Sequence, residues 1–174
     1  MKVLVTGGVR SGKSTYAERL LGEEPVRYVA PGPAPDEAAD PDWAARIAAH
    51  RERRPDSWTT VETTDVAAAI RASDGPVLVD CLGTWLTALL DDAGWETERA
   101  TLEAIVTSAT EAVVASLGEA VGPVVLVTNE VGLGVVPDHR SGRVFRDLLG
   151  VVNQRVATAC DDVVLVVAGR ALRL

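Results

Sequence analysis

The segment Val3-Leu4-Val5-Thr6-Gly7-Gly8-Val9-Arg10-Ser11-Gly12-Lys13-Ser14 constrains the fold of this chain more than any other. An apolar run of strand length breaks into G-x-x-x-x-G-K-S, and a helical stretch follows at once. Glycines let successive backbone amides converge on phosphate oxygens, and the helix that starts there turns the positive end of its dipole toward the same charge. Lys13 then neutralises the β and γ phosphates, and Ser14 offers a hydroxyl to a nucleotide-bound Mg2+. Gly7, Gly8, Val9, Arg10, Ser11, Gly12, Lys13 and Ser14 are therefore the candidate nucleotide-binding residues. Only Lys2 and Lys13 among the 17 basic residues are lysines, so arginine is the chain's default cation and Lys13 stands where a point charge is required.

A loop of this kind belongs between a strand and a helix of a parallel sheet, and the rest of the chain supplies one. Val3–Thr6, Val26–Ala30, Thr59–Glu62, Val77–Cys81, Val124–Thr128 and Val163–Val167 read as strands. Three of these carry continuous rather than alternating apolar runs, as strands covered on both faces do. Helices are expected over Ser14–Leu21, from an Asp40 N-cap and Pro41 onward, and over Asp65–Ala72, Leu82–Leu90, Glu98–Leu117 and Ser141–Ala159. The fold class is α/β, a three-layer P-loop NTPase with a mostly parallel sheet and helices on both faces. Residues 1–174 read as one domain, since no repeat, linker or change of hydrophobic pattern divides them. Pro31-Gly32-Pro33-Ala34-Pro35 follows a strand's carboxyl end, where open α/β sheets bind ligands, and is a candidate lid.

In such sheets the magnesium of the nucleotide takes a second protein contact from an acid ending an apolar strand. Asp80, after Val77-Leu78-Val79, is the favoured candidate, and Glu130 competes for the role. A dinucleotide fingerprint is absent because G-x-G-x-x-G needs glycine at position 9, where Val9 stands. Asp80-Cys81-Leu82-Gly83 matches the DxxG pattern of regulatory GTPases, but Thr128-Asn129-Glu130-Val131 lacks the lysine of a guanine-reading NKxD.

The formal charge of −8 argues against phosphate-backbone binding, so small molecules rather than nucleic acid are the expected partners. No apolar run is expected to span a membrane and none resembles a leader, which makes a cytoplasmic protein the expectation. Cys81 and Cys160 lie far apart without metal or redox spacing and read as reduced core residues. No tightly bound organic cofactor is expected beyond Mg2+ with GTP or ATP.

The second constellation is Arg46-Ile47-Ala48-Ala49-His50-Arg51-Glu52-Arg53-Arg54-Pro55. On a helix Trp43, Ile47, His50 and Arg54 share one stripe, which sets the imidazole beside apolar anchors and a guanidinium. Four arginines in an acidic protein suit a triphosphate, although a solvated basic helix end is the plainer reading of the same residues. His139, in Pro137-Asp138-His139-Arg140, reads as an exposed loop residue, and Trp58, Trp85 and Trp95 as packing residues.

Taken together, the Thr6–Ser14 segment, Arg46-Ile47-Ala48-Ala49-His50-Arg51 with Arg54-Pro55 and Trp58, and Thr128-Asn129-Glu130-Val131-Gly132 resemble one family. It is the bifunctional adenosylcobinamide kinase/adenosylcobinamide-phosphate guanylyltransferase family of cobalamin biosynthesis. Val135-Val136-Pro137, Phe145-Arg146-Asp147 and Val152-Asn153-Gln154 extend the resemblance along essentially the whole chain.

The resemblance implies a RecA-like sheet, a homo-oligomer that is a trimer, and GTP, ATP, adenosylcobinamide and adenosylcobinamide phosphate as partners. It implies that His50 accepts the guanylyl group and that Lys13 serves the catalysis. It further implies that Arg51, Glu52, Arg53, Arg54, Glu62 and Asp80 join the nucleotide site. Glu62 and Glu130 remain possible helpers in the kinase step, with Glu62 alternatively placed on ribose or base. Two competing readings are a monofunctional P-loop kinase of another small molecule and a RecA-like regulatory or assembly protein.

Overall fold

The computed structural model describes residues 1–32, 41–52 and 54–174, with the backbone alone at Trp43, Ala44, Arg46 and His50. The expected strands appear in order as β1 (Lys2–Gly7), β2 (Arg27–Ala30), β3 (Thr59–Glu62), β4 (Val77–Asp80), β5 (Val124–Val127) and β6 (Asp162–Val167). A further strand, β7 (Arg170–Arg173), was not anticipated. The helices are α1 (Lys13–Leu21), α2 (Pro41–Glu52), α3 (Val66–Arg71), α4 (Leu82–Ala93), α5 (Arg99–Glu119) and α6 (Arg140–Thr158). The expected Asp40 cap and Pro33–Pro35 lie outside the described residues.

Local chemistry explains several boundaries. Asp65 caps α3, its Oδ1 accepting from the Ala68 amide at 2.9 Å. Gly22 ends α1 at φ +66°, a conformation that carries little steric cost only for glycine. Helix α4 runs a turn beyond the expected Leu90, to Gly94 at φ +82°.

The seven strands form one sheet in the order β3-β2-β4-β5-β1-β6-β7, parallel except where β7 returns antiparallel beside β6. Alternation along the strands feeds two cores. Leu4, Val77, Val79, Val124 and Leu126 pack with α3, α4, α5 and α6 through Ile70, Trp85, Leu86, Leu102, Leu117 and Leu149. On the other face Val3, Val5, Leu78, Val125 and Val127 pack with Ala17 and Leu21 of α1 and with Trp58. Helices thus cover both faces, which is why the central strands read as unbroken apolar runs.

Helix α5 corrects one expectation. Its 21 residues are long and apolar enough to cross a membrane by length and composition. Leu102, Val106, Val113 and Leu117 are nonetheless buried in the core, and the helix packs against α3 and α6.

Because six strands run parallel, the loops leaving β1, β2, β4 and β5 share the sheet's carboxyl edge. Gly7–Gly12, Pro31-Gly32, Cys81 and Thr128–Glu130 meet there.

Candidate active site

The loop after β1 turns on two positive-φ residues, only the second of them a glycine. Arg10 takes φ +54° and Gly12 φ +94°, and the Ser11 amide bonds to Gly8 O at 3.3 Å. Gly12 is the N-cap of α1 and its carbonyl accepts from the Tyr16 amide at 2.9 Å, so the helix dipole begins at the loop. Lys13 is 5% exposed, and its Nζ donates to Gly8 O at 3.1 Å, folding the side chain back over the loop. Gly8, Val9 and Arg10 are exposed, whereas Ser11 is buried and Ser14 half-buried.

The neighbouring strands bring the other groups to this edge. Strand β5 lies between β1 and β4, so Asp80 ends a strand one removed from the loop, with Val127 beside it in register. The Cys81 thiol is pushed up, first by burial and then by Asp80, while hydrogen bonds from Thr84 and the charge of Lys13 pull the other way. The Lys13 ammonium and the Asp80 carboxylate therefore act on one buried neighbourhood. Glu130, the competing acid, is held differently: its amide donates to Gly7 O at 3.1 Å, and its Oε1 accepts from the Gly132 amide at 2.9 Å.

Sequence reasoning gave no role to the polar frame beneath these groups. Thr128 is fully buried, and its Oγ1 donates to Asn153 Oδ1 at 2.6 Å. Asn153 Nδ2 donates in turn to Asn129 O at 3.1 Å, and the Cys81 thiol donates to Asn129 Oδ1 at 3.5 Å. Gly83 leaves room for that amide, because a Cβ there would stand 2.6 Å from Asn129 Oδ1. A half-buried asparagine, Asn153, inside the otherwise amphipathic α6 was the available signal.

Of the arginine-rich segment, α2 places the His50 backbone in its last turn and ends at Glu52. The expectation that Arg54 shares a helical stripe with His50 is therefore corrected: Arg54 follows in a turn whose amide bonds to Arg51 O at 3.2 Å. Its guanidinium lies 3.4 Å from the Tyr28 ring centroid, and Nη1 donates to Thr60 Oγ1 at 2.8 Å. Burial lowers the Arg54 pKa, while Tyr28, Asp80 and Glu18 favour its charge. Burial, followed by the Asp80 charge, raises that of the Tyr28 phenol, which stays neutral.

Arg51 forms an ion pair with Glu62 at the end of β3, joining two of the residues expected at the nucleotide. Glu52 is exposed at the helix end, and Arg53 lies outside the described residues. His139 is exposed, as expected, but at the N-cap of α6 rather than mid-loop.

The family model for CobU, described as cobinamide kinase/cobinamide phosphate guanyltransferase, matches residues 3–174. The chain belongs to this family.

Its relatives include the bifunctional adenosylcobalamin biosynthesis proteins CobU of Salmonella typhimurium strain LT2 and of Escherichia coli strain K12. Each is 40% identical over 184 residues, covering 100% of this chain and 99% of the relative. CobP of Pseudomonas aeruginosa is 40% identical over 183 residues, covering 100% and 97%. Among solved structures, a prototypical ATPase from the type III secretion system of pathogenic bacteria superposes with a TM-score of 0.57 at 12% identity. That match spans 94% of this chain and 50% of the ATPase chain. It agrees with a RecA-like P-loop NTPase fold for this CobU-family member.

Proposed function

We propose that this chain phosphorylates the aminopropanol hydroxyl of adenosylcobinamide with a nucleoside triphosphate and then transfers GMP from GTP to that phosphate through His50. The observation that carries the reading is the loop at the head of α1, with Lys13 folded over it, in a chain that matches the kinase and guanyltransferase family from end to end.

In the kinase step the substrate hydroxyl oxygen bonds to the γ-phosphorus, and the bond from that phosphorus to the β–γ bridging oxygen breaks. The nucleoside diphosphate leaves and the hydroxyl proton passes to a base. Loop amides and Lys13 hold the triphosphate in line, which is most of what a loose phosphoryl transition state requires. In the second step the neutral imidazole of His50 bonds to the α-phosphorus of GTP and pyrophosphate departs. The phosphate of adenosylcobinamide phosphate then attacks the same phosphorus, and the P–N bond breaks to release the histidine. Histidine suits both halves, being an uncharged nucleophile near neutral pH and a good leaving group as imidazolium. Arginines that neighbour His50 in sequence are suited to spread charge developing on phosphoryl oxygens.

The Ser14 hydroxyl and Asp80 carboxylate are hard oxygen donors of the type Mg2+ prefers, and a two-donor set leaves its other positions to phosphate and water. Bound there, the ion supplies charge neutralisation on the triphosphate. Arg51, Glu52, Arg53, Arg54 and Glu62 would line the far side of the nucleotide, and a homotrimer is the assembly the family resemblance supports.

The test is mass spectrometry after incubation with GTP and Mg2+ under basic quench, since a phosphoramidate is acid-labile. A GMP adduct on His50 is expected. His50→Ala should abolish guanylylation and spare phosphorylation, whereas Lys13→Ala should impair both by about 100-fold or more, the scale of losing a preorganised charge on transferring phosphate. GTP binding without an adduct would overturn the covalent step, and full kinase turnover in Lys13→Ala would overturn the placement of the triphosphate.

A further inference from the structure

We propose that the turn of the C-terminal hairpin, Ala168-Gly169, is a positioning element for the nucleotide, holding the Ser11–Gly12 peptide so that its N–H faces the phosphates. The inference rests on reading Gly7–Ser14 as the phosphate cradle.

The contact is direct: the Gly169 amide donates to Ser11 O at 2.8 Å. In a planar trans peptide the C=O and N–H point in opposite directions. Fixing the Ser11 carbonyl on the hairpin therefore aims the Gly12 N–H away from it, toward the open side of the loop. A Cβ on Gly12 would come within 3.3 Å of Gly169 Cα, and one on Gly7 would come within 2.4 Å of Val166 O. The end of β6 and its turn thus form the wall behind the loop.

The turn is built to hold this place. Ala168 at φ +50° and Gly169 at φ +75° are the two central residues of a two-residue hairpin, the positive-φ pair whose twist matches its strands. Strand β7 is exposed at all four residues and contributes no buried side chain to either core. What it does supply is a ladder beside β6 that holds the turn over Ser11, with an ion pair from Arg173 to Asp162 at the hairpin's open end.

No atom stands within 4 Å of a Cβ built on Gly169, so a substitution there acts through the backbone angle rather than through collision. Valine disfavours positive φ, whereas asparagine tolerates it. Gly169→Val is expected to raise the KM and Kd for GTP about tenfold with kcat within about twofold, and Gly169→Asn to restore binding to within about threefold. Ile70→Ala, a core substitution far from the loop in sequence, should lower Tm and leave KM unchanged, separating positioning from general stability.

A folded Gly169→Val that binds GTP within twofold of wild type overturns the role of the hairpin. Should that variant fail to fold, exchange of the Gly169 amide in the wild-type protein decides. Slowing by about fivefold or more on GTP binding supports the contact, and an unchanged rate overturns it. Wild-type protein that binds no GTP at all would instead sink the nucleotide reading on which this one stands.

Discussion

Arg54 shows how one side chain can serve two surfaces at the mouth of the site. Its planar guanidinium covers the Tyr28 ring and its fork still reaches Thr60. Lysine would keep the charge and lose both the stacking and the fork geometry. Arg54→Lys is therefore expected to cost about 1 kcal/mol of stability and to weaken GTP binding severalfold, measured by chemical denaturation and by titration. The GTP effect should vanish if Arg54 only braces the corner where the Tyr28 and Trp58 rings lie 6.5 Å apart. The arginine cluster itself was legible in the sequence, because four cations in an acidic chain demand a reason. The partners of each arginine were not, because the Arg51–Glu62 pair depends on β3 lying beside β2, and that register has no local signature.

At the level of elements, the buried polar frame links β5 to α6. Asn153→Ala would leave the Thr128 hydroxyl buried without its acceptor and release the Asn129 carbonyl, a loss of about 1–3 kcal/mol. The expected outcome is a lower Tm with reduced kcat for both reactions, because the segment carrying Glu130 loses its anchor on α6. Unchanged kinetics in a folded variant would show that the frame serves stability alone. Periodicity and turn residues made the six parallel strands and six helices readable, with described ends displaced by at most three residues and β3 matched at both ends. Strand β7 escaped because Arg170-Ala171-Leu172-Arg173 shows neither alternation nor an apolar run. Its partner β6 and the Ala168-Gly169 turn make it a strand, and the turn's dipeptide is not among the strong hairpin signals.

For the molecule as a whole, the cysteines predict its behaviour in alkali. Burial and then Asp161 push the Cys160 thiol up to about 12, and the Cys81 thiol is raised as well. Because the folded state favours the protonated thiols, their contribution is fully present below the unfolded value near 9. It is lost as pH climbs through the folded one. Tm of the wild-type protein should thus fall from pH 9 toward 12, and fall less in Cys160→Ala. Folded protein at pH 8.5 should resist alkylation at both thiols, while urea-unfolded protein reacts. A wild-type and Cys160→Ala pair with parallel pH profiles would remove the thiol from the explanation.

The strand order also fixes a schedule. Strand β1 is made first, yet its neighbours in the sheet are β5 and β6, which begin at Val124 and Asp162. During synthesis at roughly 5–20 residues per second, the N-terminal strand waits on the order of ten seconds for its first partner. Pairings this distant in sequence are also the slow ones to close. The phosphate loop, although it precedes both of those partner strands in sequence, is therefore among the last parts of the protein to take shape. A ribosome stalled before residue 124 would carry a nascent chain with every residue of that loop and no ability to hold a nucleotide.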